Sequence, residues 1–163
     1  MKFAKIFLAL CIIAGIISAT IPPLTGKVIG VKDGDTIVVL IGKEATTIRL
    51  VDIDCPEKKQ AFGAKAKEFT SNLCFGKHVK IYTGNGKLDR YKRILGTVYV
   101  GNINVNRELV KAGFAWNYKY SKRKDYVDLE REARAKKRGL WIEKNPIAPW
   151  DFRKQSRKPA TTK

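Results

Sequence analysis

Histidine is almost missing from this chain, with one residue, His78, in 163. A single imidazole and two distant cysteines make no credible zinc set, and the same scarcity argues against a Ser-His or Cys-His nucleophile. His78, next to an expected strand, reads as a surface residue. Acids are scarce as well: Lys and Arg number 33 against 15 Asp and Glu, a formal net charge of +18. No internal repeat is present. There is one long apolar run, Ile6 to Ile17, and it is shorter than the ~20 residues a spanning helix needs.

That run follows Lys2 and Lys5, ends in Ser18-Ala19 and is succeeded by Pro22-Pro23 without a basic stop-transfer cluster. Residues 1–19 therefore read as a signal peptide, which implies a secreted or periplasmic protein with no stable membrane insertion after cleavage. An uncleaved N-terminal anchor is the alternative. Removing the leader leaves 144 residues at a formal charge of +16. This length suits one domain, expected as a monomer, and the ordinary apolar fraction excludes wholesale disorder. The charge points to a polyanion, with nucleic acid first and anionic envelope surfaces as the bland alternative. Cys55 and Cys74 remain after cleavage. Their spacing permits a disulfide without establishing its geometry, and a buried Cys74 with a free Cys55 is the other reading.

From Gly26 to Leu50, short apolar runs are broken by turn residues: Val28 to Val31, Asp33-Gly34, Thr36 to Ile41, Gly42-Lys43, Ala45 to Leu50. This predicts a β-meander. Ala66, Phe69, Thr70 and Leu73 fall at helical spacing within 64–73, stopped by Gly76. Strands follow at 79–82 and 94–100, with a stub at 103–105. Asn106 is expected to cap a helix through Lys111, and Asp125 another through Lys137 with Leu129 and Ala133 on its apolar stripe. The fold class expected is α+β, a five-stranded OB-type β-barrel with three α-helices. The domain spans 27–150, preceded by a linker at 20–26 and followed by a basic, disordered tail at 151–163.

Against so basic a background, acids gathered at strand ends need a reason. In Asp33-Gly34-Asp35-Thr36, Gly34 permits a tight turn between two carboxylates; alone, Asp-Gly is more often a structural turn. In Arg49-Leu50-Val51-Asp52-Ile53-Asp54-Cys55-Pro56-Glu57, strict alternation places Arg49 and Asp54 on opposite faces. They share a site only if the strand bends, and Pro56 ends regular pairing and turns Glu57 out of the sheet. Oxygen ligands of this kind suit Ca²⁺ or Mg²⁺ with water completing the shell. Asp89-Arg90-Tyr91-Lys92-Arg93 reads blandly as a solvated basic hairpin, or functionally as guanidinium placed to hold a phosphate at two points.

Taken in order and spacing, these motifs resemble the staphylococcal nuclease (thermonuclease) family from about Lys27 to Trp141. The resemblance implies an OB-fold barrel with three helices and Ca²⁺-dependent cleavage of DNA and RNA to 3′-phosphate ends. It also implies roles: Asp35, Asp54 and the backbone carbonyl of Cys55 as metal ligands, and Glu57 as the residue that positions or deprotonates water. Arg49 and Arg93 would bind the scissile phosphate and stabilise its transition state. Asp33 would stand behind the ligands, and Tyr91 would contact the terminal phosphate. Tyr118 or Tyr120 would stack on a base of single-stranded DNA or RNA. Departures from the pattern are Cys55 in place of threonine, a shorter loop from Glu57 to Phe62, and Lys92 where glycine is expected. The rival is a non-catalytic nucleic-acid-binding OB module.

Overall fold

Three antiparallel strands open the fold, β1 (Leu24–Asp33), β2 (Thr36–Ile41) and β3 (Glu44–Leu50). The computed structural model describes residues 21–84, 86 and 88–157. The expected signal peptide at 1–19 and the last part of the basic tail lie outside the described residues. Strand β1 starts at Leu24, so the last three residues of the expected linker already pair with β5 (His78–Tyr82). β5 in turn pairs with β6 (Ile94–Val100), and β6 runs parallel to β3, with Arg49 opposite Leu95. β1, β2, β3, β5 and β6 thus form a closed five-stranded barrel, the OB-like α+β architecture.

Alternation dictates the interior. Val28, Ile37, Val39, Ile48, Leu50, Ile81 and Val98 point inward and are buried, each contributing about 1.5–3 kcal/mol relative to exposure. His78, at the edge, is exposed. Helix α1 (Gly63–Cys74) lays Ala66, Thr70 and Cys74 on the barrel at i, i+4 and i+8. Cys55 and Cys74 are both buried and free, so no disulfide joins them. Gly34 is needed for a reason other than turn conformation, since its φ is not positive. A Cβ there would stand 2.7 Å from Cys55 Cβ and 2.8 Å from Ala66 Cβ, so the missing side chain lets the acidic turn, α1 and the Cys55 segment meet.

After β6 come β7 (Ile103–Asn104), α2 (Val105–Lys111) and β8 (Trp116–Asn117), which pairs with the two-residue β4 (Ile53–Asp54). Asn104, not Asn106, caps α2, its side chain accepting from Arg107 N–H at 3.0 Å. Asn106 is instead fully buried as a strut: its amide oxygen accepts from Val98 N–H at 3.0 Å and its nitrogen donates to Val51 O at 2.9 Å. Helix α3 is Lys124–Ala135, preceded by Arg123; Asp125 lies within its first turn and pairs with Arg123 rather than capping. Leu129 and Ala133 are its buried stripe, joined by Tyr126.

A fourth helix is also present. α4 (Pro149–Ser156) occupies the start of the segment expected to be a disordered tail. Its sequence carries the signs of a helix: Pro149 in the first turn, Asp151 at the positive end, Arg153 and Lys154 at the negative end. Charge density masked these signs. The helix docks through Trp150, whose ring meets Trp116 edge-on at 5.6 Å and Tyr118 at 6.3 Å between centroids.

Candidate active site

The β2–β3 register sets Thr36 opposite Arg49, which brings Asp35 to the Arg49 end of β3. The backbone ties the two, with Leu50 N–H donating to Asp35 O at 2.8 Å. β3 then stops. Val51 N–H donates to Gly96 O and Asp52 turns left-handed at φ 66°, so the chain reverses its face within two residues and re-enters as β4. Alternation is reset by that one residue. Arg49 and Asp54, on opposite faces of an unbroken strand, end side by side.

Arg49 joins the two carboxylates, with Nη1 2.6 Å from Asp35 Oδ2 and Nη2 2.8 Å from Asp54 Oδ1. Cys55 N–H donates to Asp35 Oδ2 at 2.6 Å, and Asp33 Oδ1 accepts from Asp35 N–H at 3.2 Å. These groups line a cleft of about 790 Å³ that also receives Glu57, Arg93, Tyr91, Tyr118 and Tyr120. Six of the chain's 15 acids, Asp33, Asp35, Asp52, Asp54, Glu57 and Asp89, line it, so the acidity is concentrated rather than scattered. Arg93 enters from the turn before β6. Asp89 orients it, with Arg93 Nε donating to Asp89 Oδ2 at 2.7 Å, and Arg93 Nη1 donates to Thr36 Oγ1 at 3.3 Å. Lys92 there adopts φ 59°, a left-handed conformation that glycine takes without strain. Tyr91 lies over the Arg93 guanidinium at 5.3 Å, and Tyr118 and Tyr120 meet edge-on at 5.5 Å.

Burial pushes the Asp35 carboxyl up to about 7, against the attraction of Arg49. Burial, with Asp35 beside it, also holds the Cys55 thiol well above the usual thiol range, which excludes it as a thiolate nucleophile. Partial burial would raise Asp89, but the N–H groups of Arg93 and Tyr91 and the Arg93 side chain outweigh it and hold the carboxyl below its ordinary value.

One residue at the site was not anticipated from sequence. Arg153 of α4 reaches over the cleft, with Nη2 2.6 Å from Asp54 Oδ2 and Nη1 2.5 Å from Glu57 Oε1. Its signal was available in the i, i+3 spacing from Trp150, which puts anchor and arginine on one helix face.

A family model described as staphylococcal nuclease homologue matches residues 47–143. The chain belongs to the staphylococcal nuclease family. It is 41% identical over 145 residues to Protein ParB of Escherichia coli, covering 82% of this chain and 81% of that protein. An uncharacterized endonuclease of Haemophilus influenzae is 44% identical over 135 residues, 82% of this chain and 75% of the relative. A micrococcal nuclease of Shigella flexneri is 38% identical over 144 residues, 81% of this chain and 82% of the relative. In this staphylococcal nuclease homologue, the matched span holds Arg49, Asp54, Cys55, Glu57 and Arg93. Asp35 reaches them by strand pairing and Arg153 by the docking of α4. A nuclease function follows from the family.

The site's oxygen donors bear on a divalent cation. Among the described residues, no three His, Cys, Asp or Glu side chains converge as a metal cluster. Two carboxylates do converge, Asp35 and Asp54, with the Cys55 backbone adjoining, and Arg153 shows that Asp54 and Glu57 draw a positive charge. This donor set, all oxygen and completed by water, fits a hard cation.

Proposed function

We propose that the protein is a calcium-dependent nuclease that hydrolyses phosphodiester bonds of DNA and RNA to 3′-phosphate products. The observation that carries this reading is the Arg49 bridge between Asp35 and Asp54 at the floor of a cleft shared with Glu57 and Arg93. Asp35, Asp54 and the Cys55 carbonyl would hold Ca²⁺, which when bound supplies Lewis-acid polarisation of a phosphoryl oxygen.

Arg49 and Arg93 bind the scissile phosphate and neutralise the charge that grows on it. Asp89 keeps the Arg93 fork aimed. Glu57, at the cleft rim and 38% exposed at its side chain, accepts a proton from water at its carboxylate. The hydroxide forms the new bond to phosphorus as the bond to the 5′-oxygen breaks, and that oxygen takes a proton from solvent. Tyr91, beside Arg93, contacts the terminal phosphate, and Tyr118 or Tyr120 gives an unpaired base a stacking surface, which favours single-stranded DNA and RNA. The protein acts as a monomer outside the cytoplasm, secreted or periplasmic, as the leader at 1–19 suggests. No helix among the described residues is long and apolar enough to cross a membrane.

The test is Glu57→Gln. Turnover should fall about 10²–10⁴-fold, while the affinity for single-stranded DNA, measured by fluorescence anisotropy in chelator, stays within about twofold. Near-normal turnover would remove Glu57 from the chemistry. Binding without cleavage in both proteins would favour the OB binding module.

A further inference from the structure

The cleft contains an arginine that the phosphate-binding pair does not account for. Asp54 is 1% exposed at its side chain and shares Arg49 with Asp35. Asp54 is also held by Arg153, which reaches Glu57 as well, so Arg153 stands on two of the carboxylates where a cation would bind.

Two anchors place Arg153 where it sits. Trp150, three residues before it on the same helix face, is lodged against Trp116 and Tyr118. Gln60 ties the same C-terminal segment to the Glu57 loop: its Nε2 donates to Ile147 O at 2.5 Å and its Oε1 accepts from Glu57 N–H at 3.1 Å. The guanidinium then donates to both carboxyl groups, with Nη1 also 3.3 Å from Asp54 Oδ1. Such charge-assisted pairs are among the stronger hydrogen bonds of a protein.

We infer that Arg153 is a built-in competitor of the catalytic cation: it neutralises Asp54 and Glu57 when no cation is bound and must leave them when one binds. Arg153 therefore sets the cation concentration at which the enzyme switches on. Release of its guanidinium also loosens α4, so cation occupancy is coupled to the order of residues 149–156. The inference rests on the reading of Asp54 as a cation ligand.

Calcium titration calorimetry on the full chain without nucleic acid, wild type against Arg153→Gln, tests both. The competent state is only fractionally populated in the wild type, so removal of the competitor should tighten Ca²⁺ binding on the order of tenfold. Hydrogen–deuterium exchange of wild-type residues 149–156 should rise when Ca²⁺ is added. Equal or weaker Ca²⁺ binding by Arg153→Gln overturns this inference and leaves the cation site standing. No saturable binding in either protein overturns the cation reading itself, and the inference with it. Should the variant fail to fold, unchanged wild-type exchange on Ca²⁺ addition is sufficient to overturn the inference.

Discussion

The Asp35 carboxyl stands between two opposed influences. Burial favours its neutral form, while Arg49 at 2.6 Å and the Cys55 N–H favour its anion, and burial prevails with the group pushed up to about 7. A cation ligand must be deprotonated, so protons compete with the cation at this residue. Calcium affinity should therefore fall as pH drops below 7, by about tenfold per unit, and level off above it. Titration calorimetry at pH 6, 7 and 8 checks this, and a flat profile would show that Asp35 does not ligate. The acids of the site were legible in the sequence because each breaks with its basic surroundings at a turn or strand end, and Arg49 and Arg93 through their spacing from those acids, whereas Arg153 was not. The Asp35 environment was not, since its burial depends on how closely Gly34 lets Cys55 and Ala66 approach.

The decisive element is the break between β3 and β4. Alternation alone separates Arg49 from Asp54, and the sequence cue to a bend, Pro56, lies beyond the residue that makes it. The reversal occurs at Asp52, and although aspartate tolerates the left-handed region better than most residues, its type alone does not fix a φ of 66° there. What stabilises it comes from afar: Asn106 donates to Val51 O across 55 positions of sequence, and Tyr118 N–H donates to Asp52 O at 2.9 Å. Asn106→Ala leaves Val98 N–H and Val51 O without their partner, a cost of about 2–4 kcal/mol. Urea unfolding measures this loss, and calcium affinity should fall alongside it. A change under about 0.5 kcal/mol would mean the bend does not depend on Asn106. α4 escaped sequence reading for a related reason, since its helix signals are set in a run of lysines and arginines that also reads as a solvated tail.

At the scale of the molecule, the charge has two parts. Lys and Arg spread over the chain give the electrostatic attraction that draws a polyanion. Six acids collected in one cleft line the site at which we propose its phosphodiester is cut. The barrel was legible because periodicity and turn residues marked each of its five strands, and the closure of β3 on β6 follows from the OB topology they imply. Together these parts make the calcium-dependent nuclease we propose. The measurement is the fate of end-labelled single-stranded DNA incubated with the purified protein in Ca²⁺ and, separately, in chelator. Cleavage in Ca²⁺ to fragments ending in 3′-phosphate, with none in chelator, is the result predicted; intact DNA in both, with only a salt-sensitive mobility shift, would contradict it.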